Sequence, residues 1–153
     1  MRSRLAVAIA TAVALPVLAA AQAPAFNWGP APAVFPAGVR MAVLQGDPSQ
    51  PGYFTVRLEL PAGTRVYPHF HPTDEYLTVI SGTFQVGMGD TLNAAKTNVM
   101  LAGAFGTVGA NMHHYAIART KTVVQVSAMG PFVLTYVNPR TSRGRVDRRS
   151  PRR

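Results

Sequence analysis

Gly63-Thr-Arg-Val-Tyr-Pro-His69-Phe-His71-Pro-Thr-Asp-Glu75, followed six residues later by Gly82, decides how this chain is read. Positions i and i+2 of a β-strand share a face, so His69 and His71 aim their imidazoles the same way. Pro72 ends that strand, and Glu75, one of only two glutamates, can return a carboxylate alongside them. The remaining two histidines, His113 and His114, form a second tight cluster. A third imidazole from a facing strand would complete a nitrogen-and-oxygen site for one divalent transition metal: Fe, Mn, Ni, Cu or Zn. Four protein ligands in an octahedral shell leave up to two positions for water or substrate. By itself a His-x-His pair would ordinarily be read as two exposed or hydrogen-bonded strand histidines. The framing glycines and the second cluster weigh against that bland reading.

The flanking sequence reads as strands. Residues 54–60 alternate apolar and polar side chains, the period of a half-buried strand. Residues 76–80 make a second run, and Ser81-Gly82 turns the chain into 83–88. Further runs at 111–118, 122–129 and 132–137 are punctuated by Gly103, Gly106, Gly109 and Gly130. Residues 91–98 alone read as a loop or a single helical turn. Thirteen glycines and thirteen prolines fit many short strands rather than a helical bundle. A length of 153 residues bounds the soluble part to one domain, and 48% apolar with 14% charged residues excludes general disorder. The expected class is all-β, a sandwich or barrel.

The formal charge of +9 invites a nucleic-acid reading, so its location matters. Residues 1–21 hold two arginines, and residues 140–153 hold seven arginines and one aspartate. The middle keeps six basic and five acidic residues, a net of +1, so the basicity belongs to the ends. No specific nucleic-acid partner follows. The absence of cysteine excludes a disulfide scaffold, a thiol nucleophile, thiolate zinc or iron–sulfur ligation, and a lipoprotein cleavage site.

Residues 1–21 read as a secretory signal peptide: Arg2 and Arg4, an uncharged Ala/Val/Leu-rich run, then Ala19-Ala20-Ala21 with small residues where signal peptidase needs them. A membrane span wants about 20 apolar residues, and this run is shorter and carries Pro16. Cleavage before Gln22 and a periplasmic or secreted mature protein are expected. Residues 22–38, with Pro24, Pro30, Pro32 and Pro36, read as an extended arm that Phe26, Trp28 and Phe35 could pin to the body. Residues 39–139 are the body. Residues 140–153 read as a disordered basic tail, solvated or in contact with anionic surfaces.

The quoted stretch resembles the first motif of the cupin superfamily, G-x5-H-x-H-x3-E-x6-G, at every defining position. Gly103-Ala-Phe-Gly-Thr-Val-Gly109-Ala-Asn111-Met-His113-His114 resembles the second, G-x5-P-x-G-x2-H, with Gly109 for the usual Pro and Asn111 for the usual Gly. Both changes suit a turn, since Asn tolerates positive φ. Ala118 stands where an Asn is frequent. The resemblance implies a double-stranded β-helix, or jelly-roll, cupin barrel with a metal held by His69, His71, Glu75 and His114. It also implies a small-molecule ligand and pairing of barrels as a homodimer.

Cupins serve many functions, so the fold does not choose one. Three classes fit: a metalloenzyme with dioxygenase-like chemistry on an oxygen-rich small molecule, a non-redox metal-dependent isomerase or decarboxylase, and a non-catalytic metal or small-molecule binder. A DNA-binding regulator would need a segment that is not recognisable here. Acid–base candidates beyond the ligands are few: His113 first, then Glu59, Asp74, Tyr67, Tyr76 and Tyr115. That scarcity favours chemistry done by the metal, or none. Phe70, Tyr76, Phe84, Met88, Met100 and Tyr115 are candidate cavity residues or plain core. Arg57 and Arg65 are candidates to clamp a carboxylate or simple surface charge. His113 and His114, adjacent on a strand, should face opposite ways, and the resemblance to the second motif, with its spacing from Gly103, implies that His114 is the one inside.

Overall fold

The computed structural model describes residues 25–141. The signal-peptide reading of 1–21, the first residues of the arm and the tail from 142 onward lie outside them. Eleven strands follow in order: β1 (Gly29–Pro30), β2 (Arg40–Gln45), β3 (Gly52–Leu60), β4 (Arg65–Phe70), β5 (Glu75–Ser81), β6 (Thr83–Met88), β7 (Asn98–Leu101), β8 (Phe105–Val108), β9 (His114–Ala118), β10 (Thr122–Gly130) and β11 (Thr135–Tyr136). The described residues contain no α-helix, and no helix is long and apolar enough to cross a membrane.

Two antiparallel sheets face each other. The larger has the order β1-β2-β3-β10-β5-β8, and the smaller β11-β4-β9-β6-β7. Alternation along β3 sends Phe54, Val56, Leu58 and Leu60 inward, and β10 does the same with Val124, Val126 and Ala128. Val66, Phe84, Val86, Ala116 and Ala118 meet them from the smaller sheet. Each such buried Val or Leu contributes about 1.5–3 kcal/mol. This is the expected jelly roll, an all-β barrel of two sheets.

Gly82 makes the tight corner between β5 and β6. Its φ is 84°, and a Cβ there would overlap the carbonyl of Lys121. That explains why a glycine closes the first motif.

The structure revises several boundaries. The run at 111–118 becomes strand only from His114. Asn111 takes the left-handed conformation, φ 60°, and its N–H bonds to the His71 carbonyl at 2.7 Å. The turn's backbone groups are thus used away from a ladder, joining the two motifs. The run at 132–137 shrinks to β11, because the Phe132 N–H turns to the Pro48 carbonyl at 2.6 Å. β4 ends at Phe70, which leaves His71 just past the strand. Strands β2, β7 and β8 were not legible as runs.

The described part of the arm contributes the edge strand β1 and then a turn. Phe35 N–H bonds to Pro32 O at 2.9 Å, and Ala31 N–H to Val39 O at 3.0 Å. The start of the arm packs against arginines of the larger sheet, with the Arg57 guanidinium 4.4 Å from the Phe26 ring and Arg40 5.8 Å from Trp28, whereas Ala31 and Phe35 pack against the core. Residues 139–141 form a short 3₁₀ turn, so the first two residues of the expected basic tail are part of the fold.

Candidate metal centre

His69 comes from the end of β4, His114 from the start of β9, and the two are directly paired in the ladder. His71 follows β4, and Glu75 opens β5. All four are buried. The ligand atoms of the three histidines lie within 4.8 Å of one another, and the three imidazoles can hold a metal ion. Glu75 stands beside them: its Oε2 is 3.3 Å from His114 Nε2 and 3.8 Å from His71 Nε2.

The second ring nitrogen of each histidine is engaged by the main chain. Nδ1 of His69 lies 2.7 Å from the Tyr67 carbonyl, that of His71 2.9 Å from Val133, and that of His114 3.0 Å from Met112. A carbonyl can only accept, so each Nδ1 carries the proton and donates it. In a neutral imidazole, as for His69 and His71, that leaves the Nε2 lone pair free, the tautomer a metal requires, while His114 Nε2 faces the Glu75 carboxylate, which a metal between them would bridge. His71 Nε2 is buried without a hydrogen-bond partner, an omission that a bound cation would repair. The donor set therefore fits a divalent transition metal.

Burial, reinforced by the neighbouring His114 and His71, pushes the His69 pKa down to about 3. Burial also lowers that of His71, against the pull of Glu75. Burial pushes Glu75 upward, yet the His114 hydrogen bond and the surrounding imidazoles outweigh it and hold its pKa below the usual value. The buried cluster thus favours neutral His69 and His71 beside an ionised carboxylate.

The remaining candidates fall elsewhere. His113 is half-buried, stacks on Phe70 with ring centroids 5.0 Å apart and hydrogen-bonds to the Asp90 carboxylate. His114 is the histidine that enters the barrel, as the spacing predicted. Asp74 is exposed and accepts the Ala110 N–H at 2.8 Å, which is turn chemistry. Glu59 pairs with Arg40 and Lys121 on the outer face. Arg57 donates to Gln125, and Arg65 is exposed; neither clamps anything in the cavity. Tyr67 contributes its carbonyl.

Of the candidate cavity residues, Phe84 alone lines the chamber. Tyr76 and Met88 are exposed, Met100 packs against the core, and Tyr115 lies buried under the loop at 93–96. The chamber wall also takes in residues not among those candidates. Phe35 from the arm joins Phe132 and Leu134 from the segment before β11. Phe132 stacks on His71 at 4.5 Å and meets Phe54 edge-on at 5.3 Å. The Tyr136 hydroxyl donates to the Val34 carbonyl at 2.9 Å, tying the two segments together. The aromatic character of 35 and 132 was visible, but their meeting depends on contacts distant in sequence.

A two-sheet β-barrel with converging histidines inside defines a cupin. Residues 18–132 match the family model of the ChrR cupin-like domain, and the chain belongs to that family within the cupin superfamily. No curated protein matches it. Among solved structures it is similar to a protein from Methylibium petroleiphilum assigned as an acetylacetone dioxygenase, with 27% identity and TM-score 0.58, over 74% of this chain and 76% of that one. It is similar to the polyketide cyclase RemF from Streptomyces resistomycificus, with 14% identity and TM-score 0.60, over 74% and 80%. KdgF from Halomonas sp. has 17% identity and TM-score 0.54, over 67% and 86%. The last two likenesses speak to the fold alone.

Proposed function

We propose that the chain is an exported metalloenzyme with dioxygenase-like chemistry, in which His69, His71, His114 and Glu75 hold one divalent transition metal. The observation that carries this reading is the set of three buried imidazoles whose Nδ1 atoms are all taken by backbone carbonyls. When bound, a redox-active metal would supply a Lewis-acid and one-electron centre with coordination positions for a small oxygen-bearing substrate. The chain's own groups do the rest. The Tyr67, Val133 and Met112 carbonyls fix the ligand rings. Glu75 offsets positive charge, and the apolar walls keep water away.

His113, Glu59, Asp74, Tyr76 and Tyr115 do not line the chamber. Without a separate acid and base, a reaction centred on the metal is favoured over an isomerisation that shuttles protons between side chains. The likeness to the Methylibium protein supports the same choice. Export rests on the Arg2/Arg4 start, the apolar run and the Ala19-Ala20-Ala21 site.

Metal analysis of natively exported protein, followed by oxygen uptake with catechols, flavonols and diketones, tests the reading. About one metal per chain and uptake with one substrate class are expected. Bound metal with no turnover on any of them would return the protein to the binding class. Equal metal content in wild type and in the His69→Ala/His71→Ala variant would overturn the site.

A further inference from the structure

Apart from the three histidines and Glu75, every side chain lining the cavity is hydrocarbon, among them Leu58, Leu77, Phe84, Val126, Phe132 and Leu134. No hydroxyl, amide or cationic side chain joins them. The cations of the described residues are spent elsewhere. Arg40 and Lys121 face Glu59, Arg57 faces Gln125, and Arg65, Lys96, Arg119 and Arg140 are exposed.

This lining restricts what can be bound, given the metal reading above. A divalent cation held by neutral imidazoles and one carboxylate carries a single net positive charge within low-dielectric walls. A ligand with one negative charge neutralises it. A dianion would leave an excess charge with no cation to meet it, and a polyhydroxy acid would bury hydroxyls with nothing to bond. We infer that the site selects a singly anionic chelate: two oxygens sharing one negative charge on an apolar body, as in the enolate of a 1,3-diketone. Dicarboxylates and sugar acids are selected against.

The experiment uses the exported protein loaded with Zn(II), a redox-silent ion, with zinc stoichiometry measured first. Calorimetric titration then compares pentane-2,4-dione, oxalate and D-galacturonate at neutral pH. The diketone should bind at least about tenfold more tightly than either of the others. Its binding should release about one proton to the buffer, read from the buffer dependence of the heat. Leu134→Lys and Phe35→Lys place an ammonium at two separate half-buried wall positions. A variant that keeps its circular dichroism spectrum and its zinc should lower the diketone-to-oxalate ratio by about tenfold.

Oxalate or galacturonate binding as tightly as the diketone would overturn the inference and leave the metal reading standing. An unchanged ratio in both folded lysine variants would overturn it too. Wild-type protein that takes up no zinc would overturn the metal reading and this inference with it.

Discussion

Acidifying the metal-free protein from pH 7 to pH 5 tests the electrostatics of the centre directly. The His69 pKa is about 3 in the fold against 6.5 for a free histidine, so the unfolded chain binds the proton first. Stability from this group is complete above about 6.5 and falls as pH drops below it, continuing toward the folded value. Between those limits one histidine contributes a slope approaching about 1.4 kcal/mol per pH unit. Over the interval from pH 7 to pH 5, which begins above the unfolded pKa, this amounts to about 2 kcal/mol. His71, also lowered, acts in the same direction. Glu75, held below 4.5, adds its own loss only below that pH. Urea denaturation at the two pH values measures the effect. With a slope of about 2 kcal/mol per molar, the midpoint should fall by about 1 M. The control is His69→Gln, which removes the titrating group and should flatten the dependence if it folds. Stability that is level or rises between pH 7 and pH 5 would refute the assignment of neutral, desolvated imidazoles, and so would an unaltered slope in a folded control.

Three further outcomes follow from the geometry. His114→Ala should lose bound metal, whereas His113→Ala, which disturbs a Phe70 stack and an exposed hydrogen bond to Asp90, should keep it and change stability by less than about 1 kcal/mol; metal analysis and thermal melts separate the two. Gly87→Ala should destabilise by about 1–3 kcal/mol in urea denaturation, because its Cβ would overlap the buried Tyr115 ring, whose hydroxyl is held by the Asn93 and Lys96 carbonyls. Tyr136→Phe removes the bond to Val34 and should cost about 1 kcal/mol, with faster limited proteolysis before residue 39 as a second readout.

The parts of the fold legible in the sequence are those where local pattern and tertiary role coincide. β5, β10 and the second half of β3 alternate because one face meets the core and the other is more open, whereas β6 was legible from its Thr-Phe-Gln-Val pattern although it is buried on both faces from Phe84 to Gly87. β7 and β8 are short edge strands whose exposed Val99, Leu101 and Phe105 break the alternation rule. β2 is unclear for a related reason: Ala42 is buried on one face while Val43 on the other is exposed. At the site, the resemblance to the second motif singled out His114 over His113; the structure buries His114 at the start of β9 and leaves His113 just before it. The joining of Phe35, Phe132 and Leu134 in the chamber wall had no local signal, because it brings together segments from the two ends of the described chain. The carbonyls that bind each Nδ1 were equally hidden, since every residue has a carbonyl and only the fold decides which one is near.

Those carbonyls also bear on how such a protein can change over generations. A point substitution replaces a side chain but leaves the main-chain oxygens of Tyr67, Met112 and Val133 in place. The orientation of the three imidazoles is thereby insulated from most mutations around them. The hydrocarbon wall is not, and each of its positions is open to replacement by a larger, smaller or polar residue. A lineage built on this plan can therefore explore new ligands through the wall while inheriting the same arrangement of nitrogen donors.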